Sequence, residues 1–340
     1  MPKQPGKTDK SVAIALEIAG GTASVALVDR NGRVRHRCQA RTLWGRPALA
    51  TLDPYLRAIE YMLAYAKTQR WHVCGIGVAL PGTLDSASRR PLQVPILPSL
   101  NNFPLCDLFE ARYELPAYAY VDVDAALIGE YYHGTGVGYQ RLLYLTLNAV
   151  VGASSIIKGQ LASSEQACVG HVAHVTISAA GPRCGCGKRG CINSFVSLEA
   201  LQKMVMRALR RDDVTSLSQR LSQREPLSLQ MLLEEAQRGD MVARQIYRDV
   251  ERWLCEAVAR FTRLFEPDIL LLGGTMPAAS ATFMARIRES GMSADQQFRI
   301  AAPQLGSDAA LIGVTAPFFP RQAEPVTEPH LAAMYTMQAD

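Results

Sequence analysis

The sequence predicts two α/β domains flanking a cleft. Three observations carry this reading. The chain has 340 residues, more than the ~250–300 at which a single hydrophobic core stops growing. An apolar strand run opens at Val12 and a second opens at Leu142. Each is followed by segments whose apolar residues recur at helical spacing.

Taken in order, Val12 to Ile18 is an apolar run broken at Gly20-Gly21. Ser24 to Val28 follows, then the turn Asp29-Arg30-Asn31-Gly32 and a third strand, making a β-meander. Leu52 to Ala66 sets Leu56, Ile59 and Leu63 on one helical face. Val73 to Leu80 reads as a buried strand stopped by Pro81-Gly82. A short helix over Asp107 to Tyr113 and a strand over Ala117 to Val121 lead to a helix from about Ala125 to Tyr132, behind Asp122 and Asp124. The second half restarts with strands at Leu142 to Leu147 and Val150 to Ile157. Helices are expected over Leu198 to Arg210, Leu227 to Glu235 and about Met241 to Phe265, the last with Asp240 as N-cap and Pro267 as its stop. A strand over Ile269 to Leu272 ends in Gly273-Gly274-Thr275, and a closing helix runs from about Asp308 to Pro317.

Composition excludes several classes. With 48% hydrophobic and 20% charged residues the chain reads as a soluble globular protein. The net charge of +5 is spread along the sequence rather than gathered on one helix, which argues against direct DNA binding. No run approaches the ~18–20 apolar residues of a membrane span, and Met1 to Lys7 has no apolar core of a secretory signal. A cytoplasmic location is therefore expected. Cys38, Cys74, Cys106, Cys168 and Cys255 stand apart and read as buried free thiols.

The other three cysteines are clustered. Cys184-Gly185-Cys186-Gly187-Lys188-Arg189-Gly190-Cys191 brings three thiols into eight residues with glycines between them. Thiolates converging on one ion need tight turns, which glycine permits. A fourth ligand is available upstream in His171 or His174. A closed Cys3His set leaves no open coordination position, so the ion would be structural Zn2+.

This segment resembles the signature of the ROK family, named for its repressors, open reading frames and sugar kinases. The resemblance continues through Gly20-Gly21-Thr22, Val78 to Gly82, Asp122 ahead of a helix, Gly273-Gly274 after a strand, and Gly306 to Gly313. It implies an actin-like, sugar-kinase (ribonuclease H-like) fold, a homodimer, a small sugar or sugar derivative as ligand, and Mg-ATP as co-substrate in the kinases. On that fold, residues 1–10 form a lead-in and 11–122 an N-terminal domain. A helix of about 306–318 packs back on that domain, 123–305 form a C-terminal domain with its zinc loop at 168–193, and 319–340 form a loose tail. The family's Gly-Glu-x-Gly-His segment, laid on Gly170 to His174, makes His174 the metal ligand and puts His171 at the sugar-binding glutamate.

The resemblance also assigns the remaining roles. Asp122 takes the place of the base that draws the proton from the sugar hydroxyl. Asn102, Asp122, His171, His174 and Asn193 fall at sugar-binding positions. Gly20, Gly21, Thr22, Gly152, Gly273 and Gly274 fall at nucleotide-binding positions. Several family residues are replaced. Ile18 stands at the acidic position of the first phosphate turn, and Glu17, one residue earlier on a strand, is expected to face the opposite way. In the second phosphate turn, Asn148 to Ser154 keeps only Gly152 of five glycines, with β-branched Val150 and Val151 beside it. Val121, His171 and Asn193 replace polar groups that face the sugar. The expected function is a sugar-sensing or regulatory module impaired in phosphoryl transfer, a pseudokinase. Ten polar residues ahead of Val12 cannot hold a helix-turn-helix, so transcriptional regulation would act through a partner. An active ATP-dependent hexose or amino-sugar kinase is the alternative.

Overall fold

The computed structural model describes residues 10–85, 88–148, 150–162, 169–211, 213–274, 285–287 and 299–319, with backbone alone at 169–171. Cys168 and the tail from Pro320 onward lie outside the described residues. The chain divides into two compact units, one of Met1–Val137 with Leu305–Asp340 and one of Gly138–Gln304.

In the first unit β1 (Ser11–Ala19), β2 (Thr22–Asp29) and β3 (Val34–Arg41) form the expected antiparallel meander. Helix α1 (Ala48–Thr68) leads to β4 (His72–Leu80), which pairs parallel to β1. A small hairpin of β5 (Thr83–Asp85) and β6 (Arg90–Gln93) precedes α2 (Leu105–Tyr113), β7 (Ala117–Val121) and α3 (Asp122–His133). The sheet order is β3-β2-β1-β4-β7. The strand period of two sorts β1 into two faces. Val12, Ile14, Leu16 and Ile18 join Leu52, Tyr55, Ile59 and Met62 of α1 in one core.

The other face is lined by small residues. A Cβ on Gly77 would lie 2.2 Å from the Val314 carbonyl oxygen, and one on Gly75 would lie 2.1 Å from the Phe318 ring. The closing helix, Ala309–Gly313, therefore rests directly on the sheet and on α3. Its crossing with α3 is equally close: a Cβ on Gly129 would meet the Ala309 oxygen at 2.3 Å. Glu130, fully buried on α3, accepts the backbone N–H of Leu305 at 2.7 Å and of Thr135 at 2.8 Å, tying both ends of the unit together. These contacts keep α3 with the first unit, whereas the sequence places the division after Asp122. Among the described isolated thiols, only Cys106 is buried; Cys38, Cys74 and Cys255 are partly exposed, which corrects the expectation for those three.

In the second unit β8 (Arg141–Leu147), β9 (Val151–Ile157) and β10 (Gln160–Leu161) form an antiparallel run. Helices α4 (Asn193–Val196), α5 (Leu198–Arg210), α6 (Leu217–Ser222), α7 (Leu229–Gln237) and α8 (Met241–Phe265) follow, then β11 (Ile269–Gly274) and β12 (Arg299–Ala301). The sheet order is β10-β9-β8-β11-β12. Leu143, Leu145, Leu270 and Leu272 meet Val250, Leu254, Val258 and Phe261 of α8 in its core. Asp240 caps α8 by accepting the Ala243 N–H at 2.8 Å. Helix α6, absent from the sequence reading, is short and held by Arg220, whose guanidinium reaches Glu225, Glu234 and Glu235. Among the described residues no helix is long and apolar enough to cross a membrane.

Candidate metal centre and carboxylate cluster

His174, Cys184, Cys186 and Cys191 converge in the second unit, with ligand atoms all within 4.8 Å of one another. A zinc tetrahedron with Zn–S near ~2.3 Å and Zn–N near ~2.0–2.1 Å has edges of roughly 3.5–3.8 Å. Here His174 Nδ1 lies 3.5 Å from Cys184 Sγ, and Cys186 Sγ lies 3.6 Å from Cys191 Sγ. The donors thus fit a metal ion such as zinc.

The loop is shaped to bring them there. The Cys184 N–H donates to the Lys188 carbonyl and the Gly190 N–H to the Pro182 carbonyl, both at 2.8 Å. Gly187 and Gly190 adopt φ of +88° and +69°, and a Cβ at Gly190 would lie 1.5 Å from the Ser178 oxygen. Only glycine fits there. Gly185, by contrast, faces open space. The Lys188 backbone N–H lowers the Cys186 thiol below its ordinary value, while burial pushes Cys191 up to about 12. A bound cation would hold all three as thiolates.

In the first unit Glu17 faces away from Ile18, as the strand period leads one to expect. The Ile18 side is the apolar core. An acid at position 18 would be buried among Leu16, Val25 and α1, whereas Glu17 shares its surroundings with Asp122, Arg37 and Asp308. The bulge in the β1–β4 pairing lies between Val12 and Ile14 and leaves this alternation undisturbed. Arg37 pairs with Asp308, the latter from the segment before the closing helix. Neither was singled out from the sequence, since nothing local links position 37 to position 308. Asp122 is the first helical residue of α3 rather than its cap, and its Oδ1 accepts the Val123 N–H at 2.8 Å.

Burial, then the neighbouring Asp122, raises Glu17 to about 7, against the pull of Arg37. Burial likewise raises Asp122 above the usual carboxylate range, which makes it a stronger base. A raised folded-state value means the native protein holds the Glu17 proton longer than the unfolded chain, so stability falls between the unfolded value of 4.5 and about 7. The expected loss across that window is roughly 3 kcal/mol. Glu17→Gln should flatten it and be the more stable chain at pH 8. Denaturant melts from pH 5 to 8 that coincide for the two proteins would sink this assignment.

The remaining predicted positions fall as follows. Gly20, at φ +67°, and Gly21 make the β1–β2 turn, which Thr22 closes opposite Ala19. Asn102 is exposed in a left-handed turn. Gly152 on β9 and Gly273 on β11 flank Thr146 on β8 in one rung, and Gly274 pairs with Leu147 in the next. Asn193 Oδ1 accepts the Val151 N–H at 2.9 Å, and the Asn148 carbonyl accepts the Leu198 N–H at 3.1 Å. His171 lies in the 3-10 segment Val169–His174, and its side chain is outside the described residues.

A glucokinase of Thermotoga maritima is 25% identical over 308 residues, covering 89% of this chain and 96% of the relative. The DNA-binding transcriptional repressor Mlc of Escherichia coli is 24% identical, covering 82% of this chain and 67% of the repressor. The crystal structure of a ROK hexokinase from Thermus thermophilus superposes with a TM-score of 0.73 at 21% identity, covering 89% of this chain and 96% of that one. Residues 13–318 match the ROK family as a whole, and the chain belongs to it.

Proposed function

We propose that this chain is a ROK protein impaired in phosphoryl transfer, which binds a small sugar and acts as a sensing or regulatory module. The observation that carries it is the hydrogen bond from the Val151 amide to Asn193. Backbone amides cradle phosphate when they point into free space. Here the Val151 amide is taken by Asn193, and Val150 and Val151 lack the freedom of the glycines they replace. Asn193 thereby commits its side-chain oxygen to the backbone and keeps its Nδ2 group as the donor for a sugar hydroxyl. The ion in the Cys3His cluster is structural zinc, which fixes the loop carrying His174 and Asn193. A homodimer in the cytoplasm, acting on any promoter through a partner protein, completes the reading.

One observation favours the alternative of an active sugar kinase. Glu17 restores, beside Asp122, the carboxylate that Ile18 denies. A coupled assay across hexoses and amino sugars with Mg-ATP separates the two readings. Sugar-induced thermal stabilisation with turnover no higher than in Asp122→Asn is the expected result. Turnover that Asp122→Asn abolishes would establish the kinase.

A further inference from the structure

We propose that the second unit carries an oxyanion-binding pocket on the outer side of the metal loop, suited to the phosphate group of a small phosphorylated ligand. A pocket of about 440 Å³ lies between that loop and α5. Arg183, Arg189, Lys203 and Arg207 line it, all exposed, against the single carboxylate of Glu199. Glu199 is engaged by Lys203 at 2.5 Å. Among the described residues no carboxylate pairs with Arg183, Arg189 or Arg207.

The arrangement of the two loop arginines is the telling feature. Arg183 and Arg189 are partners in an antiparallel bridge. The hydrogen bonds from Cys184 to Lys188 and from Gly190 to Pro182 flank that pair without linking it. It is therefore the non-hydrogen-bonded type, in which facing side chains stand closest, at about 4.5–5.5 Å between Cβ atoms. Like charges directly opposite one another destabilise a ladder. A local cost of this kind is retained where a ligand offsets it. The metal cluster is one candidate for that offset. Three thiolates and a divalent ion leave one negative charge, too little for four cations of which two stand on α5.

Helix α5 completes the site. Glu199, Lys203 and Arg207 recur every fourth residue, so they form one stripe facing the loop. Ser197, its N-cap, and Ala200 also line the pocket, so the first turn of the helix borders it, with the Ala200 N–H held by Ser197 Oγ and the Leu198 N–H by the Asn148 carbonyl. Planar guanidinium forks on one wall and the Lys203 and Arg207 cations on the other suit a tetrahedral oxyanion carrying more than one charge. The proposal does not depend on whether the chain transfers phosphate.

Titration calorimetry of the full chain with pyrophosphate at low ionic strength tests it, against sodium chloride of equal ionic strength. Pyrophosphate should give saturable heat, weakened by added salt, and sodium chloride should give none. Two independent pairs of substitutions, Arg183→Ser with Arg189→Ser on the loop and Lys203→Ser with Arg207→Ser on α5, should each weaken binding about tenfold or more. The α5 pair contains no neighbour of a metal ligand, so its result stands even where the loop pair loses metal. Glucose 6-phosphate in place of pyrophosphate distinguishes a sugar phosphate from a free polyanion, both within the proposal. No saturable pyrophosphate heat, or affinity unchanged in the α5 pair, overturns it.

Discussion

Stripping the metal from the full chain with a strong chelator is expected to lower its melting temperature by roughly 10 °C or more. Apparent binding energies in zinc-finger peptides run to about 10–16 kcal/mol, and even a third of that gives such a shift. The effect reaches beyond the loop because the chain leaves Cys191 directly into the core. Ile192, Phe195 and Val196 are all buried, and the Phe195 ring packs on Trp253 of α8 at 4.2 Å between centroids. Loosening Cys191 withdraws three core side chains at once. Cys186→Ser and Cys191→Ser should both abolish metal content, although one thiol is exposed and the other buried, while Cys255→Ser should retain it. Atomic emission should find one zinc per chain. A folded chain that carries no metal as purified, and melts identically with chelator, would remove the metal centre from this account.

Gly313→Ala should be the most damaging single methyl in the first unit. Its Cβ would lie 1.7 Å from the Ala125 carbonyl oxygen and 2.7 Å from the Gly129 nitrogen. Both obstacles are backbone, so no side chain can swing aside, and the closing helix must lift from α3. Overpacking of a core costs about 1–3 kcal/mol, and a rigid obstacle belongs at or above the top of that range. A fall in melting temperature of about 6–12 °C follows. Gly21→Ala, whose Cβ meets nothing within 4 Å and whose φ is not left-handed, is the control and should shift stability by no more than ~0.5 kcal/mol. Equal melting of the two variants would refute the close crossing.

The metal set was readable from the sequence because its chemistry is local. Three cysteines within eight residues leave few ways to fold, and the resemblance selected His174 over His171. The meanders were readable for the same reason: their turns and strand periods lie within the segments they describe. Glu17 was not. Its alternation with Ile18 was plain, but which face of β1 is the apolar core depends on what covers each side. One cover is α1, and the other comes from residues some three hundred positions away. The division of the chain slipped for a related cause. A glycine crossing and a buried Glu130 bind α3 to the C-terminal segment, and no pattern within residues 122–133 announces that partner. The stapling of Val151 by Asn193 is another long-range pairing, visible only once β9 and α4 are side by side.

The glycine-lined face of the first sheet has a consequence for the order of events during synthesis. The first unit is discontinuous: its small-residue face waits for Ala309 to Phe318 before it can be covered. The second unit is one continuous stretch, Gly138–Gln304, and all its residues leave the ribosome before that segment does. Domains generally complete in the order they are made. The first unit's sheet is thus translated before the second unit and closed after it.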